Sequence, residues 1–109
     1  MIYLPLTFAG ALLCNCVPHL VAGLQGRPFP TPFARPPGVG NSPPPVNFAW
    51  GSANLLLGSS IALRWSRNAG RVPGGLALAL GFLAAGGYLS SHFAKVRPDV
   101  AQRSVKASK

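Results

Sequence analysis

Acidic side chains are almost absent from this chain: among its 109 residues only Asp99 can carry a negative charge. Paired-carboxylate acid–base chemistry therefore has no second carboxylate. Carboxylate-built Mg²⁺ and Ca²⁺ sites are excluded on the same ground. Cysteine and histidine are scarce as well, with two of each. Cys14 and Cys16 are spaced C-x-C, which is neither the redox C-x-x-C nor a paired zinc motif. A regular helix sets these two side chains about 200° apart, so they cannot chelate together. Packing as small hydrophobes is the simpler role. Neutral imidazole suits Zn, Cu or Fe, but His19 and His92 stand in different segments and no second ligand motif accompanies them. No metal and no cofactor is expected.

Charge of either sign is sparse, at 10% of residues against 49% hydrophobic. A soluble domain carries about a quarter charged residues, so a water-soluble fold would leave large apolar surfaces uncovered. The net charge of +9 comes from ten Lys and Arg. Such a balance suits nucleic acid or an anionic membrane surface. The cations sit between and after the apolar runs, which is how membrane proteins place charge, so the partner expected is anionic membrane lipid and not nucleic acid.

Three long apolar runs, Ile2–Leu24, Val46–Leu63 and Val72–Phe93, contain no Lys, Arg, Asp or Glu. Crossing a bilayer core of about 30 Å takes roughly 20 apolar residues in a helix, and the second run reaches that length by continuing to Trp65, an interfacial anchor. The expected fold is an all-α integral membrane bundle of three transmembrane helices, about 2–24, 46–65 and 72–93. It forms one domain over 1–93, followed by a basic, disordered tail over 94–109. A cleaved signal peptide over 1–23 is the rival reading of the first run, because Val21, Ala22 and Gly23 suit a peptidase. No basic residue precedes Leu13, which disfavours it.

Three spans put the connector 25–45 and the tail on one side of the membrane. Seven cations then share a compartment, against Arg64, Arg67 and Arg71 on the other side. The positive-inside rule points to an outside N-terminus and a cytoplasmic tail, with a bacterial plasma (inner) membrane as the location. The connector holds RPFPTPFARPPGVGNSPPP, residues 27–45. That proline density excludes helix and central strand and favours extended polyproline II. Phe29 and Phe33 beside Arg27 and Arg35 would let such a loop fold back on the helices or dock a partner.

Polar residues gather at one end of the three runs. The first run ends, the second begins and the third ends on the same side, so Asn15, His19, Asn47, Trp50, Asn54 and His92 share one leaflet, covered by Arg27 and Arg35 from the loop. Polar groups at membrane depth are functional candidates by default. These eight residues form the candidate ligand-binding set, suited to a lipid headgroup or other anion; hydrogen-bonded structural glue is the plainer role. Gly51, Gly58, Ala77, Gly81 and Ala85 recur at helical spacing and are the candidate helix-packing positions.

The function expected is a structural or accessory subunit in a larger membrane assembly, packed against other membrane proteins or against copies of itself. The alternative is a lipid- or small-molecule-binding protein, or a minimal oligomeric transporter. Small four-helix multidrug exporters have a similar length, but they depend on a membrane-embedded Glu that this chain lacks. No enzyme activity is expected, because neither histidine nor Cys16 has an orienting carboxylate.

Overall fold

The structure is a computed structural model, and it describes residues 2–97. The expected tail falls mostly outside that range. The described chain is all-helical apart from one minimal hairpin: α1 Tyr3–Leu24, β1 Phe29–Pro30, β2 Asn41–Ser42, α2 Pro44–Ala69 and α3 Arg71–Val96. By length and composition, α1 and α3 are apolar enough to cross a membrane. The third helix, α2, is the least apolar of the three.

Helix ends follow local chemistry more than hydropathy. Pro44 and Pro45 open α2, two residues before the apolar run, because a first turn does not need their missing N–H groups. At its other end α2 does not stop near Trp65. It runs through Arg64 and Arg67 to Ala69 and turns on Gly70 alone, whose φ of +87° lies where glycine is favoured. Thus Arg67 and Arg71, expected in the connection between the second and third spans, are helical, as is Arg64 inside the expected second span. Arginine is a good helix former, and a cation in a helix's last turn complements its dipole. At the other end of the chain α3 continues past Phe93 to Val96.

The helices run up, down, up, with α1 in the middle. Along the α1–α2 seam a side chain at Gly23 would meet Phe48, one at Gly51 would meet Leu20, and one at Gly58 would meet Ala9. That pairing is antiparallel. Along the α1–α3 seam Leu6 lies at Gly74, Thr7 at Gly81, and Cys14 at Gly86, a parallel pairing. Two other helices touch each other little and are bridged by α1. Their common core near the Gly70 turn consists of Leu6, Ala69 and Ala77.

Contact with a helix on each side explains the burial of α1. Cys14 is buried against α3 beside Gly86. Cys16 is buried on the α2 side, its thiol donating to the Leu13 carbonyl at 3.0 Å. The closest approach is glycine to backbone: a Cβ at Gly81 would overlap the Thr7 carbonyl, and one at Gly10 would overlap the Leu78 carbonyl. Outward-facing side chains are large and apolar, among them Leu56 (68% exposed) and Leu83 (71%). A soluble monomer rarely leaves so much apolar surface uncovered.

Residues 25–43 form a folded cap on one end of the helices. This differs from the expected polyproline strip, which would lack internal hydrogen bonds. Phe29 and Pro30 pair with Ser42 and Asn41 in antiparallel register. Inside the excursion the Thr31 carbonyl accepts the N–H groups of Ala34 and Gly38, at 3.2 and 2.8 Å. The Gly40 N–H donates to the Pro36 carbonyl at 2.8 Å, where the chain passes so close to the Arg35 carbonyl that only glycine fits.

Candidate functional site

The cap is held down by a polar network centred on Asn47, in the first turns of α2, with no exposed surface. Its Nδ2 donates to the carbonyls of Phe29 (3.0 Å), Ser42 (3.0 Å) and Pro43 (3.3 Å). Its Oδ1 is therefore the acceptor that faces His19 Nδ1 at 2.7 Å. That assignment places the His19 proton on Nδ1 and leaves Nε2 as an acceptor. One residue thus joins α1, α2 and both strands of the hairpin.

Flanking bonds extend the network. Thr31 and Ser42, both buried, share a hydroxyl–hydroxyl bond of 2.6 Å, and Thr31 Oγ1 accepts the Phe33 N–H at 3.2 Å. His92 Nε2 donates to the Gly38 carbonyl at 2.8 Å and ties α3 to the cap. One turn deeper, Asn15 donates to Asn54 Oδ1 at 3.2 Å, and Asn54 donates to the Trp50 carbonyl at 2.8 Å. Aromatic rings fill the remaining space: Phe29 stands edge-on to His19 at 5.4 Å and tilted against Phe93 at 4.7 Å, and Phe33 lies edge-on to Trp50 at 4.9 Å.

The eight residues proposed from sequence do not form one site. Asn47 and Asn54 are buried and hydrogen-bonded to protein. Asn15, His19, Trp50 and His92, with Thr31 and Tyr88, border a cleft of about 340 Å³ between α1, α3 and the cap. The indole N–H of Trp50 is buried without an acceptor among the described residues. Arg27 lies at a second cleft. Arg35, expected to pair with it, is exposed at the tip of the cap and borders neither cleft, because the hairpin carries it away from α1.

The second cleft holds about 570 Å³ between the ends of α1 and α3, with Val21, Ala22, Phe29 and Phe93 as apolar walls and Arg27 and Arg97 at its edge. Two local structures position the arginines. The C-terminal turn of α1 closes in a Schellman motif: Arg27 N–H bonds the Ala22 carbonyl at 2.9 Å and Gly26, at φ +69°, bonds the Gly23 carbonyl at 3.2 Å. Arg97 follows α3 directly, its N–H on the Phe93 carbonyl at 2.8 Å, and its guanidinium carbon lies 5.1 Å from the centroid of the Phe29 ring.

Of the packing positions, Gly51, Gly58, Ala77 and Gly81 are buried at helix seams, whereas Ala85 is only half-buried. Gly10, on the α3 side of α1, is a close-packing position that was not among those expected from sequence. Nor were Arg97, Thr31 and Ser42 among the expected site residues. Spacing carried a signal for Arg97, four residues beyond Phe93 on the same helical strip, but none for the Thr31–Ser42 pair. Among the described residues no three His, Cys, Asp or Glu side chains come together as a metal site. No protein-family model, curated protein or solved structure matches this chain.

Proposed function

We propose that this chain is a three-span integral membrane protein that acts as an accessory subunit, presenting a rigid proline-rich cap to partners in a larger membrane assembly. The observation that carries the reading is how the polar groups are used. Asn47, His19, Asn54 and His92 hold the cap and the α1–α2 seam, which suits interhelical glue. The large side chains turned outward include the apolar helix faces and, on the cap, Phe33, Arg35 and Val39. Phe33 is 63% exposed although it packs on Trp50, an arrangement that offers a held aromatic to a partner.

The cap and the end of α3 lie at one end of the bundle, and together with the residues that follow in sequence they hold seven of the ten cations, so the positive-inside rule favours a cytoplasmic side for them. A bacterial plasma membrane is the setting proposed. Gentle extraction of the full chain at native expression, followed by native mass spectrometry, tests the assignment. A stoichiometric complex with a larger membrane protein, weakened by Phe33→Ala or Arg35→Ala and unaffected by Leu63→Ala, is the expected result. A lone monomer, or a homo-oligomer indifferent to cap substitutions, overturns it.

A further inference from the structure

We propose that the cleft between the ends of α1 and α3 is a site for one anionic phospholipid, with Arg27 and Arg97 on the phosphate and an acyl chain along the α1–α3 seam. The inference rests on the membrane-spanning reading and is separate from the accessory role. Its volume, about 570 Å³, is ordinary for a small-molecule site. The walls are apolar, from Val21, Ala22, Phe29 and Phe93, and among the described residues the full charges at the edge are the two arginines.

The two halves of the cleft demand different chemistry from one ligand. Guanidinium groups match phosphate oxygens in a planar, two-point fashion. The chain supplies one acid, Asp99, against ten cations, so complementary charge has to come largely from outside the protein. A small anion would satisfy the arginines and leave the walls empty. A lipid satisfies both. Arg27 and Arg97 each stand just past the last turn of an apolar helix, at the level where a bilayer places its phosphates.

Helical spacing continues the apolar wall down the seam. Ala79, Phe82, Gly86, Ser90, Phe93 and Arg97 fall on one strip of α3 at intervals of three and four residues. From Phe82 to Phe93 that strip rises about 16 Å at 1.5 Å per residue, close to the roughly 15 Å of hydrocarbon in one leaflet. A shallow, wholly apolar depression between Gly10, Leu13, Leu78, Phe82 and Leu83 lies toward the far end of this stretch. The Arg97 guanidinium is held by its contact with the Phe29 ring, and the Schellman turn fixes the backbone of Arg27 at the edge of the cleft.

The test is native mass spectrometry of the full chain in detergent. Probes are phosphatidylglycerol, phosphatidylcholine with the same acyl chains, or inorganic phosphate. Wild type should retain phosphatidylglycerol preferentially. Arg27→Gln and Arg97→Gln should each weaken retention about fivefold, and the pair about 25-fold. Arg35→Gln and Arg67→Gln, which lie outside the cleft, should leave it unchanged. Equal retention of phosphatidylcholine overturns the proposal, as does equal weakening by the control substitutions. Displacement of phosphatidylglycerol by an equal concentration of phosphate marks a free-anion site and also overturns it. Vesicle flotation separates the two levels of failure. A chain that does not float with vesicles loses the membrane reading and this site together; one that floats without lipid preference loses the site alone.

Discussion

Replacing Asn47 with Leu should release the cap while leaving the helices paired. The side chain makes three hydrogen bonds of 3.0 Å or less, to His19 and to the carbonyls of Phe29 and Ser42. At about 1 kcal/mol net for each, the loss is about 3 kcal/mol; at the average for interhelical bonds in membranes, about 0.6 each, it is about 2. Leucine keeps the volume, so little of the change comes from a cavity. Hydrogen exchange reads the effect locally, because the N–H groups of Ala34, Gly38, Val39 and Gly40 are bonded only within the cap. If they exchange by undocking of the cap, their rates should rise about 30- to 150-fold. Asn15→Leu supplies the contrast: it removes one 3.2 Å bond to Asn54, outside the cap, and should change those rates less than about threefold. Cap amides that stay within threefold of wild type in Asn47→Leu would refute the reasoning. So would equal opening by Asn15→Leu.

Glycines divide by what a methyl group would meet. Gly81→Ala drives a Cβ into the Thr7 backbone and should cost about 1–3 kcal/mol by overpacking, seen as a lower Tm in detergent. Gly87→Ala, with open space around it, should be neutral or raise Tm through helix propensity, by up to about 1 kcal/mol. Thr31→Val should destabilise the cap more than Ser42→Ala, because Thr31 Oγ1 also accepts the Phe33 N–H; exchange of the Phe33 amide distinguishes them. His92→Leu removes the one bond from α3 to the Gly38 carbonyl and should cost about 1 kcal/mol, read as faster exchange of cap amides with unchanged exchange in α1.

Sequence shows where apolar runs lie, and the helices cover them. It marks helix ends less well, because hydropathy reports the medium a residue suits and not whether the backbone hydrogen bonds continue. Arg67 and Arg71 look like a loop by charge, yet each is compatible with a helix terminus, and the actual break is a single glycine. The end of the chain shows the same effect: with a tail taken to begin at 94, Arg97 drops out of view although α3 carries it to the cleft. That Asn15, His19, Asn47, Asn54 and His92 gather toward one end of the helices follows from topology alone. Which of them bond to one another does not, since that depends on how the hairpin returns. Arg27 and Arg35 are close in sequence, but a turn built on the Thr31 carbonyl separates them. One wheel per helix also assumes one packed face. Because α1 serves two neighbours, Cys14 and Gly10 are buried on a face that a single-partner wheel assigns to lipid.

The weak hydropathy of α2 bears on whether it is a third span. An average over its residues counts Asn47, Asn54, Gly51 and Gly58, yet all four are buried against α1 or the cap and would never meet lipid. Its exposed face carries Phe48, Leu55, Leu56, Leu57 and Leu63. Two of its serine hydroxyls are bonded within the helix: Ser60 donates to the Leu56 carbonyl at 2.7 Å and Ser66 to the Leu63 carbonyl at 3.4 Å. The two arginines fall in the last turns, within reach of an interface by extension of their side chains. A segment in a bundle is judged by the surface it shows, so an apolar outer face with Asn47 and Asn54 hydrogen-bonded on the inner one favours insertion beside α1. Leu56→Arg, midway along that exposed face, provides the measurement. If α2 spans, the charge sits deep in hydrocarbon and should cost about 2.5–3.5 kcal/mol of insertion, lowering the membrane-integrated fraction in a glycosylation-tag assay; if α2 lies in water, integration should not change.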